Sequence, residues 1–127
     1  MLNNNLIIIY GKKGSYKSLI AAALVNGLDE LTCYINLEKN RHLKFNTKVK
    51  VFDDSSIINR EFIIECINNY NIVVIDSMEA LNYTKDDLIY LKELAKEYVC
   101  SVIVIVNSYD IDKIDSIADL VIHSKRH

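Results

Sequence analysis

Short apolar runs alternate with amphipathic segments along this chain of 127 residues. Continuous apolar runs at 6–10, 72–75 and 102–106 are typical of strands that are buried on both faces. A β-branched and aromatic run at 32–37 predicts another strand, and 49–52 and 120–122 predict two short ones. Segments with helical periodicity fill the intervals, which predicts helices at 17–28, at about 57–69 and from Thr84 to about residue 98.

Each predicted helix has an apolar stripe and a recognisable start. The first stripe is Ile20, Leu24 and Leu28, and the second is Ile58, Phe62, Cys66 and Tyr70. The polar residues at 53–56 are expected to cap the second helix, because Asp and Ser accept hydrogen bonds from free backbone N–H groups. Thr84 and Asp87 have the spacing of a capping box at the start of the third helix.

Strands that alternate with helices predict an α/β fold, with a mostly parallel sheet of five or six strands and helices on both faces. The length suits one domain, 1–127. In such sheets the ligand lies at the carboxyl ends of the strands. The predicted strands end at Gly11, Glu38, Asp76 and Asn107, and each is a residue type that nucleotide chemistry can use.

The residues after the first strand follow the pattern of a phosphate-binding loop, G-x-x-x-x-G-K-[ST], except at one position. They are Gly11, Lys12, Lys13, Gly14, Ser15, Tyr16, Lys17 and Ser18. In such loops backbone N–H groups and a helix N-terminus bind phosphate, the lysine reaches the β- and γ-phosphates, and the Ser hydroxyl ligates Mg2+. Tyr16 replaces the expected glycine. The alternative is an ordinary lysine-rich turn between a strand and a helix.

Three further strand-end residues are candidates for the same site. Asp76 is expected to hold Mg2+, although an Asp at this place can also simply cap a turn. Glu38 is the candidate that orients the attacking water, with Glu79 in reserve, and the alternative for Glu38 is a solvated loop acid. Asn107 either senses the γ-phosphate or is a turn residue.

Composition limits the partners and the cellular location that we expect for this protein. A formal charge of -2 excludes a global basic field that would attract nucleic acid or an anionic membrane. No apolar run has the length of a membrane span, and the first residues lack the features of a signal peptide, so we expect no membrane contact and a cytoplasmic protein. Cys33, Cys66 and Cys100 lie far apart in apolar runs, which indicates reduced core thiols.

These motifs resemble those of RecA-like P-loop ATPases, the superfamily of RecA and RadA recombinases, the KaiC group and DnaB-type helicases. The segments that carry the resemblance are 11–18, 34–38, 72–81, 102–107 and 116–122, in the same order as in that superfamily. The resemblance implies ATP and Mg2+ as ligands, ATP hydrolysis, a role in DNA replication, recombination or repair, and a homo-oligomer with sites between subunits. It also implies that Lys125 or Arg126 reaches a neighbouring subunit's γ-phosphate, although both can be solvated tail charges.

A second hypothesis is a regulatory or interaction module that keeps this fold, binds nucleotide weakly, has lost turnover, and associates with a larger ATPase. Tyr16 favours it, because a tyrosine can distort the loop, although its ring can also lie over the nucleotide. The retained Lys17, Ser18, Glu38 and Asp76 argue against it. A small-molecule kinase is a weaker third hypothesis, since the arginines are scattered and form no lid.

Overall fold

A computed structural model of the chain describes residues 4–13, 16–107 and 111–125. Within these residues, six strands form one sheet. The strands are β1 (Leu6–Tyr10), β2 (Thr32–Asn36), β3 (Val49–Phe52), β4 (Ile72–Asp76), β5 (Ser101–Val106) and β6 (Leu120–His123). Their order across the sheet is β3-β2-β4-β5-β1-β6, and every pair of neighbours is parallel. The predicted parallel α/β sheet is therefore confirmed.

Helices connect the strands. They are α1 (Lys17–Leu28), α2 (Arg60–Asn69), α3 (Lys85–Tyr98) and the short α4 (Ile111–Ile114), with 3-10 helices at Met78–Leu81 and Asp115–Ile117. Thr84 caps α3 through the predicted capping box with Asp87. No helix in the described part of the chain is long and apolar enough to cross a membrane.

Alternation along the strands divides the core between two faces. In β1, Ile7 and Ile9 join the cluster that includes Ala21 and Val25 of α1. Leu6 and Ile8 join the other cluster, which includes the buried residues of α2 and α3. Successive side chains of a strand point to opposite faces, so each fully buried strand serves both clusters. The continuous apolar runs of the sequence follow from this coverage on both faces.

Two details of the helices differ from the predictions. The buried residues of α1 are Ala21, Ala22 and Val25 together with Lys17, while the predicted stripe of Ile20, Leu24 and Leu28 is only partly buried. The small alanines let the helix lie close to the sheet, and the larger side chains flank the contact.

The start of the second helix was also predicted wrongly. Asn59 caps α2 by accepting a hydrogen bond from the backbone N–H of Phe62. The polar residues before it form a turn instead, in which Asp54 accepts hydrogen bonds from the backbone N–H and the hydroxyl of Ser56. Asp and Ser stabilise turns and helix starts by the same local hydrogen bonds, so their presence alone does not distinguish the two.

The connection between β2 and β3, residues 37–48, is held against α1. The Asn26 side chain of α1 donates to the Lys44 carbonyl at 2.8 Å and accepts from the Asn46 backbone N–H at 2.9 Å. Asn46 donates in return to the Asn26 carbonyl at 3.2 Å. Phe45 packs on Tyr34, with ring centroids 4.7 Å apart. This connection therefore packs along α1 and against the α1-side face of the sheet.

Candidate functional site

The sheet brings several predicted site residues to one face. Tyr34 of β2 belongs to the α1-side cluster, as do Val74 of β4 and Ile105 of β5. Asp76 lies two residues after Val74, so alternation places it on the same face. The register pairs Asp76 with Asn36 of β2 on one side and with Ile105 on the other. Polar side chains from adjacent strands therefore meet beside the start of α1.

Tyr16 has the backbone conformation that the loop pattern assigns to a glycine. Its φ of 64° and ψ of 24° lie in the left-handed region, which is unfavourable for a residue with a Cβ atom. The Tyr16 carbonyl accepts the hydrogen bond from Ile20 that opens α1, at 3.0 Å. The chain thus makes the turn into the helix without the glycine. Gly14 and Ser15 lie outside the described residues.

Lys17 is nearly buried, with 7% of its surface exposed, and its ammonium lies on the loop itself. Nζ donates to the Gly11 carbonyl at 3.0 Å and to the Lys12 carbonyl at 2.8 Å. Burial lowers the pKa of Lys17, an effect opposed by the nearby carboxylates of Glu79, Asp76 and Glu38. A positive group is therefore held between the loop and the acids of the strand ends.

Ser18 and Asp76 are in direct contact. The Ser18 hydroxyl donates to Asp76 Oδ2 at 2.6 Å, and the Tyr34 hydroxyl donates to the same oxygen at 2.7 Å. The other carboxylate oxygen, Oδ1, is buried and accepts no hydrogen bond from the described residues. Burial raises the pKa of Asp76, and the two hydroxyl donors oppose that rise. An oxygen in this state can accept a cation or a water that a cation holds.

Glu38 and Asn107 face the same space from their strand ends. A cavity of about 320 Å³ is lined by both, together with Tyr16, Lys17, Ser18 and Asp76. Lys13, Leu19, Asn40, His42, Leu43, Ser77 and Ile105 complete its lining. Glu38 is exposed, and its backbone N–H donates to the Asp76 carbonyl at 3.2 Å. Seven of the predicted residues therefore line one cavity, whereas Gly11 and Lys12 are described but are not part of its lining.

Glu79 has a different position from the one expected of a reserve base. One of its carboxylate oxygens accepts from the Ser77 hydroxyl at 2.8 Å, and the other accepts from the Asn107 backbone N–H. Glu79 thereby joins the end of β4 to the end of β5. These contacts favour a role in holding the site together over a role in activating water.

No family model matches the chain, and no curated protein matches its sequence. Its structure is similar to that of the flagellar accessory protein FlaH from Methanocaldococcus jannaschii, with a TM-score of 0.72 and 16% sequence identity. The match covers 94% of this chain and 70% of FlaH. The RadB recombinase matches with a TM-score of 0.57 and 17% identity, over 80% of this chain and 60% of RadB. The chain has the RecA-like P-loop fold. The resemblance drawn from the motifs is confirmed at this level.

The polar groups that line this cavity suit Mg2+. Within residues 4–13, 16–107 and 111–125, no three His, Cys, Asp or Glu side chains cluster into a metal site made by protein alone. Mg2+ usually takes one or two protein ligands and completes its shell with waters and substrate phosphates. Asp76 Oδ1 and the Ser18 hydroxyl provide oxygens of the required kind. These two residues would hold the ion, and the phosphates of a nucleotide would complete its shell.

The sequence predictions missed two polar residues of this RecA-like site, Tyr34 and Asn40. Asn40 Nδ2 donates to the Ser18 hydroxyl at 3.0 Å, and Tyr34 contacts Asp76 as described above. A tyrosine inside a buried strand was one available signal, because a buried phenol requires a hydrogen-bond partner. No comparable signal points to Asn40, which lies in a polar loop.

Proposed function

We propose that the chain is a single nucleotide-binding domain that binds ATP with Mg2+ at residues 11–18 and hydrolyses it slowly. The observation that carries the proposal is the contact between Ser18 and Asp76 beside the buried ammonium of Lys17. In a phosphate-binding loop these residue types hold, in turn, metal, metal and phosphate. Oδ1 of Asp76, which has no donor among the described residues, adds support, since most buried polar atoms have a partner and a bound ion or water commonly explains one that does not.

Each residue has a separate part in the proposed reaction. Lys17 would leave the carbonyls of Gly11 and Lys12 to contact the β- and γ-phosphates, and Mg2+ would neutralise charge on those phosphates. Glu38 would orient the attacking water from the cavity wall, and Asn107 would contact the γ-phosphate from the end of β5. The exposure of Glu38 suits this part, because the carboxylate can reach solvent water.

Thermal unfolding with and without ATP and Mg2+ tests the binding proposal. We expect the ligand to raise the melting temperature, because a ligand that binds only the folded state stabilises it. Lys17→Ala should abolish the shift, since it removes the charge that faces the phosphates. Lys96→Ala is the matched control, because Lys96 lies on α3 with an exposed side chain. The proposal fails if millimolar ATP produces no shift in the unaltered protein.

Phosphate release then separates binding from turnover. We expect Glu38→Gln to retain the ATP-dependent shift and to release phosphate at least about 100-fold more slowly, the usual contribution of a general base. Glu79→Gln is the comparison, because Glu79 is the other acid near Lys17. Turnover that survives in Glu38→Gln and is lost in Glu79→Gln would assign the base to Glu79.

The regulatory module is the alternative function, and Tyr16 is the observation that favours it. The loop pattern places a glycine in this left-handed conformation, and a tyrosine there is strained where a glycine would not be. A module of this kind would bind ATP weakly, would release no phosphate and would copurify with a larger ATPase. Phosphate release, together with the size of the melting shift, therefore distinguishes the two functions.

A role with DNA and assembly into a homo-oligomer belong to the same proposal. Support for DNA binding comes from exposed basic residues after β2, namely Lys39, Arg41, Lys44, Lys48 and Lys50. We expect single-stranded DNA to bind with an affinity that falls as salt rises, and an absence of binding at low salt would remove this role. Support for assembly comes from the cavity, which is open to solvent, and from Lys125, which is exposed after β6. Arg126 lies outside the described residues. The free buried thiols of Cys33, Cys66 and Cys100 support a cytoplasmic setting.

A further inference from the structure

Strand β2 contributes more to the site than the acid that follows it. The Tyr34 side chain is fully buried on the α1 side of the sheet, and its hydroxyl donates to Asp76 Oδ2 at 2.7 Å. Ser18 donates to that same oxygen. Two donors on Oδ2 fix the rotation of the carboxylate, so that Oδ1 is the atom left for a metal ion or its water.

The turn after β2 acts on Ser18 in a similar way. The buried side chain of Asn36 bonds to the Asn40 backbone twice, donating to its carbonyl at 2.9 Å and accepting from its N–H at 3.1 Å. This holds Asn40 where its amide donates to the Ser18 hydroxyl at 3.0 Å. A hydroxyl has one proton and two lone pairs. The Ser18 hydroxyl donates its proton in a hydrogen bond to Asp76, and one of its lone pairs accepts from Asn40. One lone pair therefore remains for a cation.

We propose that Tyr34 and Asn40 are positioning residues, which hold Asp76 and Ser18 in the orientation that binds Mg2+. The proposal rests on the proposed function, because it concerns the metal of that same site. Partners behind a metal ligand commonly affect affinity for the metal, since they fix the direction in which the ligand's lone pair points.

A purely structural role for Tyr34 is the competing explanation, because its ring packs against Phe45 in the core. Tyr34→Phe separates the two explanations. Phenylalanine keeps the ring and its packing, and it removes only the hydroxyl that contacts Asp76. If the ring alone matters, the variant should bind nucleotide as the unaltered protein does, with or without Mg2+.

The experiment measures binding of a fluorescent ATP analogue in Mg2+ and, separately, in EDTA. We expect Tyr34→Phe to weaken binding about 10-fold in Mg2+, the lower end of the losses seen when a partner behind a metal ligand is removed. Binding in EDTA should change less than about twofold, because the phosphate loop and Lys17 are unaltered. Asn40→Ala should shift binding in the same direction and by less. Tyr90→Phe, an exposed tyrosine on α3, is the matched control.

The outcomes are distinct. Equal losses in Mg2+ and in EDTA would show a structural role and overturn the proposal, as would unchanged binding in both. If the unaltered protein binds the analogue equally well in both buffers, the Mg2+ site and the proposed function fail together. Should Tyr34→Phe fold poorly, Asn40→Ala carries the test, because Asn40 lies in a loop outside the core. The electron paramagnetic resonance spectrum of Mn2+, bound in place of Mg2+, gives a second readout. This spectrum should change in both Tyr34→Phe and Asn40→Ala.

Discussion

Two aspartates, Asp76 in the proposed nucleotide site and Asp87 at the start of α3, have opposite surroundings. Asp87 accepts hydrogen bonds from Arg60 and from the backbone N–H and hydroxyl of Thr84. These donors, chiefly Arg60, lower the pKa of Asp87 to about 2. Asp76 is buried, uses only one of its oxygens, and has a raised pKa because burial disfavours its charge.

The difference separates a cluster whose charges are paired within the protein from the cluster that we propose binds a ligand. Around Asp87 the charges and caps are paired within the protein, and Arg60 also lies over the ring of Tyr83. Around Asp76 a buried oxygen has no donor among the described residues, and Lys17 has a depressed pKa. Sites that bind ligands commonly retain such unfavourable groups, because the ligand compensates for them when it binds.

Asp76→Asn should give the largest effect and the sharpest contrast. We expect it to weaken nucleotide binding in Mg2+ by at least about 100-fold, because it removes the carboxylate that would hold the ion. Without ligand it should stabilise the fold by about 1 kcal/mol, since a buried amide costs less than a buried charge. Nucleotide titrations and urea unfolding measure the two effects.

Asp87→Asn is the matched control, since it makes the same chemical change in the other cluster. It should destabilise the fold by about 1 kcal/mol, the usual worth of a helix cap, and leave nucleotide binding unchanged. A loss of stability in both variants would mean that the two clusters do not differ in the way described.

Tyr16→Gly tests a second contrast, between two residues with left-handed backbones. Tyr16 is in the site, and Val99 ends α3 with a φ of 55° and 65% of its surface exposed. Glycine adopts this conformation readily, so we expect each change to glycine to stabilise the fold by about 1 kcal/mol. Only Tyr16→Gly should alter nucleotide binding.

The direction of that change identifies the part of Tyr16 that matters. Tighter binding in Tyr16→Gly would show that the tyrosine obstructs the loop, and weaker binding would show that its ring contacts the nucleotide. If Val99→Gly altered binding equally, the effect would not come from the site.

Acid should remove the contribution of Asp87, which is the smallest predicted effect. Its pKa is lower in the folded state than the usual value of about 3.9, so its stabilisation is present above pH 4. It is lost as the pH falls through about 2, when the folded carboxylate takes up a proton. The difference in melting temperature between the unaltered protein and Asp87→Asn should therefore close between pH 4 and pH 2. A constant difference would assign the effect to some other feature.

The sequence predicted the elements of this fold well, because buried parallel strands and amphipathic helices have different periods. The capping box at Thr84 is also predictable, because it depends only on hydrogen bonds between residues that are three apart in the sequence. The start of α2 was predicted wrongly, because Asp54 and Ser56 use their hydrogen bonds in a turn and Asn59 makes the cap. Local chemistry of this kind permits both structures.

Only the residues of the site that belong to recognisable motifs could be predicted from the sequence. The phosphate loop and Asp76 follow known spacing, whereas the contact of Tyr34 with Asp76 depends on β2 lying next to β4. That order is set by the whole sheet, and no short stretch of sequence reveals it. The sequence likewise does not show that Tyr16 adopts the left-handed conformation which the loop pattern assigns to a glycine, because a residue with a Cβ atom rarely does so.

The hydrogen bonds between Asn26 and Asn46 have a consequence for the thermodynamics of binding. Ordering a backbone costs about 1–2 kcal/mol of conformational entropy per residue. Because α1 already holds residues 44–46, which directly follow the cavity-lining residues His42 and Leu43, folding bears part of the cost of ordering this connection. A nucleotide would then meet a preformed surface on that side, and its binding would resemble rigid-body association.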